Sequence, residues 1–252
     1  IVTSPPFALT YKKDYGNVDP SKYLDWFAEF ADEFRRVLKR NGSLILHLGG
    51  SWNRGKPTKT LYVYELLLNL CKSFHLAQEF YWYNPAKLPA PAQWVTVRRI
   101  RVKDSVDPIW WLSKMLYPKA ANRRVLKRYS RSMLELFTNG YRPGLRPSGH
   151  NISEKFAKDN GGAIPPNMLI FSNTESNSPY LMGCRKAKIR PHPARFPEGI
   201  PDFFIRFLST KNDLVLDPFA GSNTTGAVAE RLGRRWISFE IVREYLRGSV
   251  YR

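Results

Sequence analysis

The stretch LVLDPFAGSNTTG, residues 214–226, constrains the fold of this chain more than any other. Its first three residues are apolar and predict a short buried strand, which Asp217 ends. Gly221 then allows a tight turn and a close approach of a ligand to the backbone. The helix that follows can be capped by any of three polar residues, Asn223, Thr224 or Thr225. The stretch therefore predicts a strand, a tight turn and a helix.

A second predicted strand, residues 235–239, ends in Glu240, which follows Gly221 by 19 residues. An acidic residue at this distance meets a ribose in dinucleotide-binding folds. The loop has no lysine to reach a phosphate and carries Asp217 at its entrance, which suits a nucleoside with positive charge and no phosphate. S-adenosylmethionine is such a ligand. The alternative is an ordinary strand, turn and helix with a surface acid.

The charge of the chain points to a polyanionic partner. The 252 residues include 40 Lys and Arg against 21 Asp and Glu, a net charge of +19, although ribosomal or membrane-surface binding would produce a similar excess. Nine basic residues and one acid lie in the segment 112–148. The two cysteines, Cys71 and Cys184, have no metal-ligand spacing. With no apolar run of membrane-span length and no signal peptide, we expect a cytoplasmic protein without a metal site.

The first seven residues, IVTSPPF, predict the end of a buried strand that opens into a rigid loop. Two consecutive prolines remove two backbone donors, so the carbonyls of Ser4 and Pro5 are available to accept hydrogen bonds from a ligand. A fold that starts in mid-strand is unusual, and we expect an N-terminal stretch to be missing from this sequence.

TSPPF at 3–7 and DPFAGSNTTG at 217–226 together resemble the two signature motifs of DNA amino-methyltransferases, in the beta-class order. SPPF, where adenine-N6 enzymes usually show DPPY, resembles the cytosine-N4 branch, in particular the PvuII type. The resemblance covers essentially the whole chain. It implies a Rossmann-like, S-adenosylmethionine-dependent methyltransferase fold, an α/β fold with a mixed, mostly parallel sheet and flanking helices. A basic target-recognition region at 113–166 would separate the catalytic half, 1–112, from the cofactor-binding half, 167–252.

The resemblance also implies roles for particular residues. Catalysis falls to the loop of Ser4, Pro5, Pro6 and Phe7. The cofactor residues are Asp217, Pro218, Phe219, Gly221, Ser222, Asn223, Thr224 and Glu240, with His192 and Pro193 from a His-Pro-x-x-x-Pro motif. Trp82 and Asn84 match the pocket for an extruded base, although aromatic packing in a strand explains them equally well. The candidate DNA-binding residues are Arg98, Arg99, Arg101, Lys103, Arg123, Arg124, Lys127 and Arg128.

Apolar periodicity predicts an amphipathic helix over 21–39, with Ser21 as its cap, and further helices near 61–74, 133–137 and 202–208. Residues 43–48 predict a fully apolar strand. His47 in that strand is interpreted as a packed core residue rather than as a base.

The resemblance implies methyl transfer to an exocyclic amine, a poor nucleophile because its lone pair is delocalised into the ring. Ser4 Oγ and the Pro5 carbonyl would accept its hydrogens, while Phe7 stacks on the base. The target lies inside duplex DNA and must be flipped out. Cytosine-C5 methylation needs a catalytic cysteine, and neither Cys71 nor Cys184 follows a proline.

We therefore predict a site-specific cytosine-N4 DNA methyltransferase of a restriction-modification system, a monomer or weak homodimer that acts on double-stranded DNA. Two alternatives stay open. One is an adenine-N6 DNA or RNA amino-methyltransferase on the same scaffold, and the other is a non-catalytic, basic nucleic-acid-binding module. No motif of this chain predicts the recognised DNA sequence or the paired nuclease.

Overall fold

The computed structural model describes residues 1–9, 13, 16–140, 142–153 and 158–252. These residues form two compact units, of which the larger comprises Ile1–Ala120 with Asn167–Arg252 and the smaller comprises Ala121–Pro166. Residues 141 and 154–157 of the predicted target-recognition region lie outside the described residues. In the described part of the chain, no helix is both long and apolar enough to cross a membrane.

The strands are, in chain order, β1 (Val2–Thr3), β2 (Ser43–His47), β3 (His75–Tyr83), β4 (Val106–Ser113), β5 (Gly144–Leu145), β6 (Asn151–Ile152), β7 (Met168–Ile170), β8 (Leu214–Asp217) and β9 (Arg235–Ser238). The larger unit has a sheet in the order β1-β2-β4-β3-β7. β1 pairs with β2, and β3 with β7, in parallel, whereas β4 runs antiparallel to both β2 and β3. β8 and β9 form a further parallel pair. The strands of the larger unit are therefore mixed and mostly parallel, which confirms the predicted fold class.

In the ladder of β8 and β9, Leu214 lies opposite Arg235 and Asp217 opposite Ser238. β8 lies beside β1, and the Thr3 hydroxyl donates a hydrogen bond to Asp217 Oδ1 at 2.7 Å. The ends of the two strands that carry the predicted motifs therefore meet, although the motifs lie at opposite ends of the sequence.

The α-helices are α1 (Tyr23–Val37), α2 (Tyr62–Leu70), α3 (Arg131–Asn139), α4 (Pro179–Lys186), α5 (Gly199–Leu208), α6 (Thr224–Arg231) and α7 (Arg243–Gly248). The predicted Ser21 cap is wrong. A 3₁₀ turn, Pro20–Lys22, precedes α1, and the Asp19 side chain caps it by accepting from Ser21 N. Proline is favoured at the first position of a helical turn, because a backbone N–H there would have no partner within the helix. The helical segment therefore begins at Pro20, before the predicted cap.

The main core lies between α1, α2 and the centre of the sheet. The apolar centre of β2 is fully buried, at Leu44, Ile45 and Leu46, as its composition predicts. α1 contributes the rings of Tyr23, Phe27 and Phe34, which recur at the spacing of one helix face. Burial of large rings supplies the main stabilisation of this layer, at about 25 cal/mol for each Å² of apolar surface.

The smaller unit is built around α3, whose N-terminal capping residue, Ser130, accepts a hydrogen bond from Met133 N at 3.2 Å. β5 and β6 form a short antiparallel hairpin. The Tyr129 hydroxyl donates to Asp159 and accepts from Asn160 N. This unit depends on turns and hydrogen bonds, and its helix buries no residue fully.

Candidate active site

The predicted catalytic residues, 4–7, lie in a loop that is held by buried hydroxyl and amide groups. The Tyr23 hydroxyl donates to the Pro6 carbonyl at 2.8 Å, and Asn17 Nδ2 donates to the Phe7 carbonyl at 2.7 Å. The Tyr62 hydroxyl accepts from Ala8 N at 3.3 Å. These bonds support the loop after its two prolines, and among the described residues none is donated to the Pro5 carbonyl.

Phe7 is held against the turn that follows β2. A Cβ at Gly49 would lie 2.5 Å from Phe7 Cε2, so only glycine permits this contact. The Phe7 ring is half-buried and meets the His47 ring edge to face, with centroids 5.4 Å apart. The packing leaves part of the Phe7 ring accessible beside Ser4.

Ser4 is hydrogen-bonded to a buried histidine. Ser4 Oγ and His47 Nδ1 are 2.9 Å apart, and His47 is only 3% exposed. On the other side of the ring, His47 Nε2 lies 3.9 Å from Asp107 Oδ2, which is too long for a hydrogen bond. Lys87 Nζ contacts the Asp107 carboxylate at 2.9 and 3.2 Å. Ser4, His47, Asp107 and Lys87 thus form a continuous polar chain.

Burial raises the pKa of Asp107, but the His47 ring and the Lys87 ammonium outweigh burial and lower it below its ordinary value. Asp107 is therefore ionised at neutral pH. It holds a fixed negative charge behind His47.

Three aromatic rings enclose His47: Phe7, Trp82 at a centroid distance of 5.2 Å, and Phe196 at 5.4 Å in a stacked orientation. Trp82 donates its indole N–H to the Phe171 carbonyl at 2.8 Å, which fixes its orientation. The sequence predicts a packed core residue at His47. The ring is buried, as expected, but it also contacts the predicted catalytic serine.

Asn84 is buried at the end of β3, and its Oδ1 accepts from Ala86 N at 3.1 Å. The Asn84 backbone N donates to the Ser105 carbonyl at 2.8 Å. These bonds fix the turn that carries Lys87 towards Asp107. Trp82 thus contacts the His47 ring, which meets Ser4, and Asn84 belongs to the turn before Lys87.

The predicted cofactor loop begins at Asp217, which is 4% exposed. Asp217 Oδ1 accepts from the Thr3 hydroxyl and from Phe219 N, at 2.7 and 3.1 Å. Burial raises the pKa of Asp217 above its ordinary value, although these hydrogen bonds oppose that effect. The sequence predicts Asp217 at the entrance of the loop, but the residue is a buried bridge between β8 and β1.

Glu240 closes the same loop from the end of β9. Its carboxylate accepts from Gly221 N and from Val242 N, each at 2.8 Å. Gly221 has a φ of +54°, and a Cβ there would lie 3.2 Å from the His192 ring. His192 is half-buried and packs edge to face on Tyr245. Burial, with the charges of Arg195 and Arg252, lowers the pKa of His192 to about 4.

The other predicted cofactor residues differ in their surroundings. Phe219 packs on Trp26 and Phe30 at centroid distances of 6.0 and 5.0 Å, so its ring belongs to the α1 aromatic cluster. The buried hydroxyls of Ser222 and Thr224 lie 3.2 Å apart. The remaining predicted positions are the half-buried Pro218, the exposed Pro193 and the buried Asn223.

Asn223 precedes α6 in a left-handed conformation, with φ 59°, and its side chain makes no capping hydrogen bond. Its Oδ1 is buried and has no hydrogen-bond partner among the described residues. The prediction that Asn223 lies at the start of the helix is correct. Its side chain does not cap the helix, however, and the residue forms a left-handed turn instead. An unpaired buried acceptor in this loop is a suitable contact for a ligand that donates hydrogen bonds.

A hairpin that was not predicted from the sequence carries further basic residues. Trp52 and Lys59 form an antiparallel bridge, and the tip between them exposes Arg54 and Lys56. Arg101 Nε donates to the Pro57 carbonyl at 3.2 Å, so this hairpin contacts the predicted basic segment 98–103. The Arg98 guanidinium stacks over Trp94, and Arg99 has a φ of 55°. All the basic residues of the segment are exposed: Arg98, Arg99, Arg101 and Lys103.

The other predicted DNA contacts belong to the smaller unit. Three of them are exposed, Arg123, Lys127 and Arg128, and Arg124 is half-buried. The Lys127 backbone exchanges two hydrogen bonds with Ala163, each 2.9 Å long. This bridge fixes the position of the basic segment within its unit.

His47, Asp107 and Phe196 are the site residues whose roles sequence reasoning missed. Two signals in the sequence could have identified the first two. His47 is a polar residue at the carboxyl end of an otherwise apolar strand, and Asp107 is an acid just before the apolar run of β4. Phe196 lies inside the His-Pro-x-x-x-Pro motif, in which the resemblance gives a role only to the histidine and the first proline. Among the described residues, no cluster of three or more His, Cys, Asp and Glu could hold a metal ion.

Serine, histidine and aspartate also form the triads of hydrolases, in which Nε2 contacts the serine and Nδ1 the carboxylate. In this site the nitrogens are exchanged, because Nδ1 contacts Ser4 and Nε2 faces Asp107 at 3.9 Å. The geometry suits a serine whose hydroxyl is oriented by histidine, beside a second loop suited to a nucleoside.

Comparisons with known proteins agree with this geometry. Type II methyltransferase M.PvuII of Proteus hauseri is 49% identical over 257 residues, which cover 100% of this chain and 76% of that protein. M.BamHI of Bacillus amyloliquefaciens is 31% identical over 250 residues, which cover 96% of this chain and about half, 49%, of that protein.

The solved PvuII DNA methyltransferase (cytosine-N4-specific) matches 99% of this chain and 77% of its own, with a TM-score of 0.79 at 43% identity. A complex of M1.HpyAVI with SAM, at 16% identity, matches 98% of this chain and 84% of its own with a TM-score of 0.56, which shows the shared fold alone. The N6_N4_Mtase family model, described as DNA methylase, matches residues 1–251, and the chain belongs to this family.

Proposed function

We propose that this protein transfers a methyl group from S-adenosylmethionine to the exocyclic N4 amine of cytosine in duplex DNA, as the modification enzyme of a restriction-modification system. The observation that carries the proposal is the meeting of the Ser4 loop and the Asp217 loop, joined by the 2.7 Å hydrogen bond from Thr3 to Asp217. In α/β sheets, ligands bind where loops follow the carboxyl ends of adjacent strands. Acting on cellular DNA, the enzyme would work in the cytoplasm.

The residues of the Asp217 loop fit the cofactor. The Glu240 carboxylate has about four lone-pair sites and uses two of them for Gly221 and Val242, so it can still accept from ribose hydroxyls. Gly221 leaves room for a close approach, and the unpaired Oδ1 of Asn223 can accept from a ligand. When bound, S-adenosylmethionine supplies an electrophilic methyl group carried on a sulfonium.

The chain's own residues would hold and orient the flipped base. Ser4 Oγ and the Pro5 carbonyl accept the two hydrogens of the amine, which localises the nitrogen lone pair as the nitrogen becomes tetrahedral. Phe7 stacks on the base, and Trp82 closes the pocket around His47. Catalysis would then depend on alignment and on hydrogen bonds that strengthen in the transition state, without a covalent enzyme intermediate. Once the new N–C bond has formed, the amine would lose one of its two hydrogens as a proton to solvent.

Basic residues would bind the phosphates of duplex DNA, and each unit has its own set. In the larger unit these are the hairpin tip, Arg54 and Lys56, and the segment 98–103. In the smaller unit they are Arg123, Arg124, Lys127 and Arg128. Phosphate contacts offset the few kcal/mol needed to flip a base.

The direct test is analysis of the product by mass spectrometry of digested DNA after incubation with the protein and labelled S-adenosylmethionine. We expect label in N4-methylcytosine. Glu240→Ala should weaken S-adenosylmethionine binding in calorimetry by about 1 to 3 kcal/mol, because ribose hydroxyls lose their acceptor. Glu29→Ala, on the exposed face of α1, is the matched control.

The alternatives predict other results. An adenine-N6 or RNA enzyme would give N6-methyladenine, or would label RNA in place of DNA. A non-catalytic binding module would show no thermal shift with S-adenosylmethionine. Either outcome would replace the proposed function, and wild-type cofactor affinity in Glu240→Ala would overturn the role of Glu240.

A further inference from the structure

We propose that His47 orients the Ser4 hydroxyl so that its oxygen accepts a hydrogen from the substrate amine, and that Asp107 selects the His47 tautomer that does so. His47 and Asp107 are then positioning residues that act through Ser4. The inference rests on the proposed function, because it assigns a task to the serine of that site.

The first step concerns the hydrogen of the Ser4 hydroxyl. A serine hydroxyl has one hydrogen to donate and two lone pairs to accept with. The amine of cytosine presents hydrogens, so a Ser4 hydrogen aimed at it would place two donors face to face. His47 Nδ1, 2.9 Å from Ser4 Oγ, removes this conflict if it is unprotonated, because it then accepts the Ser4 hydrogen.

The second step concerns the tautomer. A neutral imidazole carries its hydrogen on one nitrogen only, and a nearby carboxylate favours the nitrogen that faces it. Asp107 Oδ2 lies 3.9 Å from Nε2, and Nε2 has no hydrogen-bond partner within reach in the described part of the chain. Lys87 keeps the carboxylate ionised and in place. The hydrogen is therefore held on Nε2, and Nδ1 is the acceptor.

The third step is that His47 cannot turn away. Phe7, Trp82 and Phe196 pack against its ring, and its side chain is 4% exposed. The groups that face it from the surrounding elements are the Ser4 hydroxyl, the Asp107 carboxylate with Lys87 behind it, and these three uncharged rings. His47 therefore keeps its Nδ1 towards Ser4.

The test compares two substitutions of His47 in single-turnover methylation of duplex DNA. His47→Leu removes the acceptor and should lower the rate constant by about 10²- to 10³-fold, the loss typical of one oriented catalytic hydrogen bond. His47→Asn places an amide oxygen where Nδ1 lies. It should recover most of the rate that His47→Leu removes, because this oxygen can accept the Ser4 hydrogen.

Two controls separate positioning from structure. Affinity for duplex DNA, measured without S-adenosylmethionine, should change less than about 2-fold in both variants, because His47 is buried and acts through Ser4. If His47 acts through Ser4, the double variant Ser4→Ala with His47→Leu should be no slower than Ser4→Ala alone. Asp107→Asn should lower the rate, because an amide no longer selects the Nε2–H tautomer.

A spectroscopic measurement tests the tautomer without relying on activity. The chain has four histidines, so ¹⁵N spectra of labelled imidazoles are tractable, and His47→Asn assigns the His47 signals. We expect a protonated Nε2 and an unprotonated Nδ1 at neutral pH in the wild-type protein.

A protonated Nδ1, full turnover in His47→Leu, or no recovery of the rate in His47→Asn would each overturn the inference. Failure of the proposed function is distinguishable, because the wild-type protein would then form no N4-methylcytosine whatever the tautomer of His47.

Discussion

At the scale of single residues, the site is organised around the hydroxyl of Ser4. Two prolines make its loop rigid, and Tyr23 and Asn17 anchor the carbonyls that follow. His47 meets Ser4 from the neighbouring strand β2. Ser4 and Phe7 are therefore held in place before a substrate arrives, although they have different tasks.

Ser4→Ala should separate these tasks. If Ser4 grips the amine mainly in the transition state, its removal should lower kcat and kcat/KM together, by about 10²-fold or more, and leave DNA affinity largely intact. Steady-state kinetics and a fluorescence binding titration measure the two effects. Ser21→Ala, which removes an exposed hydroxyl of the 3₁₀ turn before α1, is the control. Full turnover in Ser4→Ala would contradict the assignment.

Phe7→Ala should behave differently, because stacking already acts on the flipped base in the ground state and is worth about 1 to 3 kcal/mol per base. We expect weaker DNA binding together with slower methylation. Because Phe7 also fills the space over Gly49, the thermal midpoint is measured in parallel. A variant with unchanged DNA affinity would exclude stacking by Phe7.

At the scale of elements, the loop of residues 192–197 links three parts of the larger unit. His192 packs on Tyr245 of α7 and against Gly221, while Phe196 stacks on His47. The His192 backbone N donates to the Tyr180 hydroxyl of α4 at 2.8 Å. Burial, together with the nearby charges of Arg195 and Arg252, favours the neutral imidazole and so lowers the pKa of His192.

The lowered pKa of His192, about 4, predicts a dependence of stability on pH. The unfolded chain takes up a proton below the ordinary value near 6.5, whereas the folded protein does so only near pH 4. The contribution of His192 is therefore complete above about pH 6.5 and disappears as the pH falls towards 4, by roughly 2 to 3 kcal/mol.

Denaturant titrations at several pH values measure this effect. On acidification, the free energy of unfolding should fall less in His192→Gln than in the wild type. In His75→Gln, which changes an exposed histidine, it should fall as much as in the wild type. Equal slopes for all three proteins would show that His192 titrates normally in the fold.

At the scale of the whole molecule, the net charge of +19 is distributed over both compact units. Basic residues are exposed on the hairpin tip and the segment 98–103 of the larger unit and on the segment 123–128 of the smaller one. An excess of this size favours binding to a polyanion with a strong dependence on salt.

DNA affinity should fall with salt at a log-log slope of about 0.9 for each phosphate that the protein binds. Replacing Arg123, Lys127 and Arg128 by alanine should reduce the slope by roughly 1 for each phosphate that is no longer bound. Lys39→Ala is the matched control, because it is exposed near the amino end of β2, the opposite end from His47. A slope unchanged in the triple variant would show that the smaller unit's charges do not bind DNA.

The sequence by itself determined the elements whose signals are local. The run of apolar residues before Asp217, the glycine turn and the helix after it are all readable from 214–226, because burial and backbone conformation follow from neighbouring residues. The aromatic face of α1 is readable for the same reason. Motif order and composition were enough to predict the fold class and the family.

Only the tertiary structure decided which buried polar groups are partners. The Asp217 side chain is hydrogen-bonded to that of Thr3, and the Ser4 side chain to that of His47. Both hydrogen bonds join parts of the chain that are distant in sequence. The insertion of β4 antiparallel between β2 and β3 brings Asp107 behind His47. A local pattern reports that a residue is buried, but the identity of its partner depends on strand order and register, which arise when the whole chain packs.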